Sequence, residues 1–186
     1  MNPWHNIINH VAIWDQAIQQ YVIAGCQPEA VLFFVGITRL GNSTTLIMLC
    51  ALLTLWLLAR KNWSSALVLD MGLTSAWLTM AELKNLFGRI RPPGEQLVYA
   101  GGHSFPSGHA MLSVVFYGFA AYLFTRNLSR KGKIVIWGII SVLLLLIGIS
   151  RVYLNVHYAS DVMGGYFLGC CYLGIMISLD HKLTQG

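Results

Sequence analysis

Five stretches of this 186-residue chain are each apolar over about the 20 residues that a membrane-spanning helix requires. They run roughly over Ser43–Leu58, Ser64–Leu83, Ser107–Thr125, Ile134–Ser150 and Ala159–Leu179. With this pattern a chain must satisfy its backbone polar groups internally, so the expectation is an all-α, polytopic helical membrane bundle. Composition agrees: 56% of residues are hydrophobic and only 10% are charged, against about 25% in soluble domains. The net charge of +5 comes from cations scattered between apolar segments, which speaks for membrane topology and against nucleic acid as a partner. Four cysteines, Cys26, Cys50, Cys170 and Cys171, form no CxxC pair and read as small packing residues.

The first 42 residues differ. Trp4, Ile7, Ile8, Val11, Trp14, Ile18 and Tyr21 recur at helical spacing, with Asn6, Asn9, His10, Gln16, Gln19 and Gln20 between them. This predicts an amphipathic helix lying in the membrane interface. Ala30–Ile37 is apolar but too short to span and reads as a second interfacial or re-entrant piece. No basic n-region followed by an apolar run opens the chain, so no cleavable signal is expected. The expected organisation is one domain over 1–186, an interfacial region (1–42) followed by a transmembrane core (43–186).

If the five spans alternate, Arg60, Lys61, Arg126, Arg130, Lys131, Lys133 and Lys182 share one side, and Arg39, Lys84, Arg89, Arg91 and Arg151 the other. The positive-inside rule places the first group in the cytoplasm. Three polar clusters then meet on the outer face. KNLFGRIRPP (84–93) ends the second span, and Lys84 and Arg91 share a face if the helix persists to the two prolines. HSFPSGHA (103–110) opens the third, with Ser104 as a candidate cap, Pro106 in the first turn, and Ser107, Gly108 and His109 at an amide-rich helix start suited to an anion. SRVYLNVHYASD (150–161) carries Arg151, then His157 and Asp161 four apart, so that the carboxylate can take the proton of one ring nitrogen. Taken singly, each cluster also reads as an anchored, capped or ion-paired helix end. Together, three cations, free helix amides and two histidines with a single paired acid point to an oxyanion, phosphate first, rather than to a metal.

The pattern Lys84-x6-Arg91-Pro92, Pro106-Ser107-Gly108-His109 and Ser150-Arg151-x5-His157-x3-Asp161 resembles the three-part signature of the type 2 phosphatidic acid phosphatase superfamily. That resemblance implies His157 as nucleophile, Asp161 as the group orienting it, and His109 as general acid and then base. It implies Lys84, Arg91, Ser107, Gly108 and Arg151 as the phosphate cradle, with no cofactor and no metal. Polar Arg89 falls off the expected face and reads weakly as a phosphate contact, and His103 as an exposed loop residue. Glu82 reads as a candidate partner for a nearby cation, Asp70 as a snorkelling or interhelical hydrogen-bonding group. Gly164, Gly165 and Gly169 suggest close helix packing near His157.

The implied function is an integral-membrane lipid phosphatase of a bacterial-type inner membrane, its site facing the periplasm or exterior. Candidate substrates are undecaprenyl diphosphate, phosphatidylglycerophosphate, phosphatidic acid and diacylglycerol diphosphate. Alternatives are a phosphotransferase passing the phosphate to a second lipid such as lipid A, and a non-catalytic lipid-binding protein. Membrane relatives usually have six spans. Here the amphipathic N-terminus stands in place of the first, which puts the N-terminus on the outer face.

Overall fold

The structure, a computed structural model, describes residues 3–185, and side chains from residue 9 to 184. Seven helices make it up: α1 (Pro3–Ala24), α2 (Pro28–Leu40), α3 (Ser43–Ala59), α4 (Trp63–Phe87), α5 (Gly108–Thr125), α6 (Arg130–Tyr153) and α7 (Ala159–Gln185). α4, α5, α6 and α7 are each long and apolar enough to cross a membrane. α3 meets that standard only together with α2, across a 41° bend, as a broken span or a re-entrant loop. The apolar segments of the sequence therefore correspond to α3–α7.

Local chemistry sets the helix ends. Asn62 caps α4 by accepting the amide of Ser65, and Ser129 caps α6 by accepting that of Gly132. Pro28 opens α2, where its missing N–H costs nothing. α4 stops earlier than the sequence suggests. Gly88 takes a left-handed conformation (φ 55°) and returns its amide to the Lys84 carbonyl, a glycine C-terminal cap that acts before the prolines are reached.

α5 is the central helix, packed against α3, α4, α6 and α7. Its crossing with α7 is tight: a Cβ at Gly165 would lie 2.7 Å from the Ser107 carbonyl and 3.0 Å from Ala110 Cβ. The glycine-rich stretch of α7 thus lets two backbones meet at the start of α5, as its spacing suggests. Leu46, Leu69, Met111, Val115, Phe119 and Met176 fill the bundle core. At the far end Asp180 is fully buried, bonded to Ser65 Oγ and 3.6 Å from the Arg126 guanidinium. On the exposed side of the α3–α4 contact Asp70 accepts from Thr54 (2.7 Å) and Cys50 (3.4 Å), the interhelical one of its two readings. Among the described residues Glu82 makes no ion pair.

α1 is helical as expected; its 22 residues are long enough to cross a membrane but not apolar enough to count as a span. The side chains of Trp4, Asn6, Ile7 and Ile8 lie outside the described ones. The rest show which side of the helix packs on the protein. Trp14 is 72% exposed, with Val11 and Tyr21 also outward, whereas Asp15 is 2% exposed and Gln19 is buried with it. α1 thus turns polar residues spaced i, i+4 toward the protein and leaves large apolar ones outside. Ile18 and Val22 complete the packed face, against Val152 and Val162.

Candidate active site

The C-terminal ends of α4 and α6 and the N-terminal ends of α5 and α7 lie at one end of the bundle. All eight residues that the family resemblance implies for the site gather there. His157 sits on the short α6–α7 connection, 2% exposed. One nitrogen, Nε2, is 3.3 Å from Arg91 Nη1. The other, Nδ1, is 3.6 Å from Asp161 Oδ2, so the two residues pair as expected but at ion-pair rather than hydrogen-bond distance.

Ser104 fills that gap. Its hydroxyl donates to Asp161 Oδ2 (2.5 Å) and stands 3.3 Å from His157 Nδ1, whose N–H it can accept. Ser104 is thus not the helix cap it is a candidate for: the cap position of α5 is Ser107, and Pro106, after a cis peptide bond, precedes the helix instead of lying in its first turn. Tyr158 N–H also donates to Asp161 Oδ2 (2.9 Å). Asp161 is therefore fully enclosed and held on three sides.

The cations take different routes in. Lys84, in the last turn of α4, donates to the His103 carbonyl (2.5 Å). Arg91 lies beyond the end of α4, so the shared helix face expected for Lys84 and Arg91 does not form. The loop brings them together instead: Arg91 donates to the carbonyls of Gly101 (2.7 Å), Gly102 (3.0 Å) and Val156 (2.5 Å). Arg151 is 3% exposed and donates from Nη1 to Thr38 on α2 (2.6 Å). Its Nε has no protein partner, and neither does the buried Ser107 hydroxyl. Unpaired polar groups in such a setting are costly unless a ligand satisfies them. The amides of Gly108 and His109 open α5, where no intrahelical acceptor exists. A Cβ at Gly108 would meet Met80 only at 3.4 Å, so nothing in the protein itself demands glycine there. His109, half-buried in that first turn, feels the charges of Arg151, Arg91, Lys84 and His157.

Burial pushes the His157 pKa down to about 4, the Asp161 contact pulls the other way, and Arg151, Arg91 and Lys84 lower it further. The ring is thus neutral, its Nε2 lone pair available, at any pH well above that value. Protonation favours the unfolded chain, where the value returns to the ordinary 6.5. The stability contributed by the neutral ring is complete above about pH 6.5 and is lost as pH falls toward 4. Ring-labelled histidine NMR, assigned with His157→Gln, is expected to show no titration of this ring between pH 7 and 5.5. A midpoint near 6.5 would contradict the buried, cation-facing placement.

Arg89 is turned toward carboxylates of the protein itself. It binds Asp161 Oδ1 and Asp15 Oδ2, both at 2.6 Å, and stacks on Tyr158 at 4.4 Å. Burial alone would lower its pKa, and the two carboxylates more than offset this and raise it. His103 is exposed, as expected, and serves through its carbonyl.

Residues 64–185 match the family model of the PAP2 superfamily. The chain belongs to that superfamily. It is 35% identical over 180 residues to phosphatidylglycerophosphatase B of Bacillus subtilis, covering 95% of this chain and 88% of that one. It is also 32% identical over 149 residues to lipid A 4'-phosphatase of Bacteroides thetaiotaomicron, covering 69% and 61%. Among solved structures it resembles the transmembrane PAP2-type phosphatidylglycerolphosphate phosphatase of Bacillus subtilis, with TM-score 0.87, 34% identity, and coverage of 94% and 88%. Aquifex aeolicus LpxE shares the fold, with TM-score 0.69 at 22% identity and coverage of 88% and 94%. The chain is accordingly a multi-pass membrane protein.

Proposed function

We propose that this PAP2 membrane lipid phosphatase hydrolyses phosphatidylglycerophosphate through a phosphohistidine at His157. The observation that carries the mechanism is the two-sided environment of that ring: Nδ1 backed by Ser104 and Asp161, Nε2 turned toward Arg91.

In the first step the Nε2 lone pair attacks phosphorus and the P–O bond to the lipid alcohol breaks. The leaving oxygen takes its proton from His109, protonated in the presence of the anionic substrate. Asp161 and Ser104 hold the Nδ1 proton and offset the imidazolium charge. In the second step His109 takes a proton from water, the water oxygen attacks phosphorus, and the P–N bond breaks, returning the lone pair to His157. Lys84, Arg91, Arg151, Ser107 Oγ and the Gly108 amide hold the three phosphoryl oxygens, supplying preorganised positive charge where the transition state gathers negative charge.

A lipid substrate fits the surroundings. An apolar groove of about 210 Å³, lined by Ser43, Leu46, Ile47, Leu73, Trp77 and Leu112, opens between α3, α4 and α5. Leu112 is one helical turn from His109, so a hydrocarbon tail in this groove would place its phosphate near the cradle. The choice of headgroup rests on the Bacillus subtilis relative. The distribution of cations favours a site on the face away from the cytoplasm.

The test is phosphate release by detergent-purified protein, with EDTA present, from phosphatidylglycerophosphate, undecaprenyl diphosphate, phosphatidic acid and glucose 6-phosphate. Metal-independent release that is fastest from phosphatidylglycerophosphate, and lost in His157→Ala, is the expected result. Preference for another lipid would overturn the headgroup assignment. Transfer of label to an added acceptor lipid instead of water would favour phosphotransfer.

A further inference from the structure

The PAP2 family match begins at residue 64, yet a side chain from α1 reaches the group that backs His157. Arg89 offers its two terminal nitrogens to two carboxylates. Nη1 donates to Asp161 Oδ1 (2.6 Å) and Ser160 Oγ (2.7 Å), and Nη2 donates to Asp15 Oδ2 (2.6 Å). Asp15 in turn accepts the Ser160 amide at Oδ1 (3.0 Å) and the Ser160 hydroxyl at Oδ2 (2.5 Å). Asp15 thus grips both the cation bound to Asp161 and the residue immediately before Asp161, in the first turn of α7.

We propose that Asp15 is a positioning residue for the reaction: through Arg89 and Ser160 it fixes the carboxylate plane of Asp161 and keeps that carboxylate's charge available to His157. The inference rests on the reading of His157 as nucleophile.

Two physical arguments support it. The first is geometric. With Oδ1 of Asp161 held by Arg89, only Oδ2 remains for Ser104, Tyr158 N–H and the Nδ1 side of His157. A planar guanidinium anchored at both ends cannot rotate away, so the carboxylate cannot either. The second concerns charge. A lone Arg89–Asp161 pair would be neutral and would offer little to the imidazolium formed when His157 is phosphorylated. Asp15 makes the group one negative charge in excess, opposite to the charge that develops. Burying a carboxylate is expensive, and the 2% exposure of Asp15 is tolerable because all its acceptor sites on this side are filled.

A purely structural role for α1 predicts something different. α1 has a second anchor one turn along: Gln19 Nε2 donates to Asn155 Oδ1 (2.7 Å) and to the Val152 carbonyl (3.2 Å), without touching Arg89 or Asp161. Asp15→Asn keeps the shape and removes the charge; Gln19→Ala loosens α1 and spares the charge.

The experiment measures kcat, KM and the inhibition constant of inorganic phosphate for both variants and for Asp15→Glu, with thermal unfolding of each. For Asp15→Asn the expected result is a fall in kcat of about ten- to a hundredfold, the range for residues that orient a reacting group without touching substrate. KM and phosphate inhibition should stay within about twofold, because the cradle is untouched. Asp15→Glu should recover part of the loss, and Gln19→Ala should keep kcat within about threefold even if it unfolds earlier. Wild-type kcat in Asp15→Asn, or equal losses in Asp15→Asn and Gln19→Ala, would overturn the positioning role. A wild-type protein that releases phosphate from no lipid would instead overturn the reading of the site on which it rests.

Discussion

His157→Ala is expected to lower turnover by about four orders of magnitude or more, the scale found when a nucleophile is removed from a preorganised site. The ring is the group in the site with a free lone pair turned toward a cation, and Arg91 stands 3.3 Å from that nitrogen. What remains in the variant is a cradle of three cations and helix amides, able to bind phosphate and to polarise it for water, so a small residual rate should survive. KM should change little, because the phosphoryl oxygens keep their partners. Rapid acid-free quenching of the wild-type enzyme with labelled substrate should trap a base-stable, acid-labile phosphoprotein, and the variant should give none. Added imidazole offers a sharper check. It can enter the space left by the ring, attack phosphorus and leave as N-phosphoimidazole, restoring part of the rate. A folded His157→Ala protein with near-wild-type turnover would remove the phosphohistidine from consideration altogether.

The parts of this site that the sequence reveals are those whose spacing is local. His157 and Asp161 are four residues apart and Ser107, Gly108 and His109 are consecutive, so short separation along the chain brings each set together. The five apolar segments are equally plain, because a membrane imposes length and composition directly. What the sequence hides is side-chain pairing across long separations. Ser104 meets Asp161 over 57 residues, Arg89 meets Asp15 over 74, and Thr38 meets Arg151 over 113. None of these has a periodic signature. Ser104 is further disguised by its context, since a serine shortly before a helix reads as a cap. Arg89 falls off the face expected for Lys84 and Arg91, which sets it apart from the cradle without naming its carboxylate partners. The shared face of Lys84 and Arg91 fails for a local reason: Gly88 ends α4 before Arg91, and the loop carbonyls of 101 and 102 orient the guanidinium instead. One signal for the role of α1 was present. Asp15 is an acid on the same helical stripe as Gln19, and a charged residue on an interfacial helix with large apolar residues beside it calls for a partner.

His109→Ala is expected to separate the two halves of the reaction. As general acid, His109 matters for an alkoxide leaving group, which needs a proton as the P–O bond breaks. It matters far less for p-nitrophenolate, which leaves unaided. General acid–base contributions are typically about 10²–10⁴-fold, and a loss of that size is expected for phosphorylation by the natural lipid. Phosphorylation by p-nitrophenyl phosphate should be nearly spared. The second half needs the same residue as a base for water, whatever the first leaving group was. The variant should therefore release about one equivalent of p-nitrophenol in a burst, then stall, with phosphate still covalently held at His157. This outcome requires the two histidines to act on opposite sides of phosphorus, His109 from the first turn of α5 and His157 from the α6–α7 connection, with the Arg151, Arg91 and Lys84 cations around both. Equal losses for both leaving groups, with no burst and no trapped phosphoprotein, would mean that His109 helps to hold the phosphate rather than to move protons, and the acid and base would have to be sought elsewhere in the site.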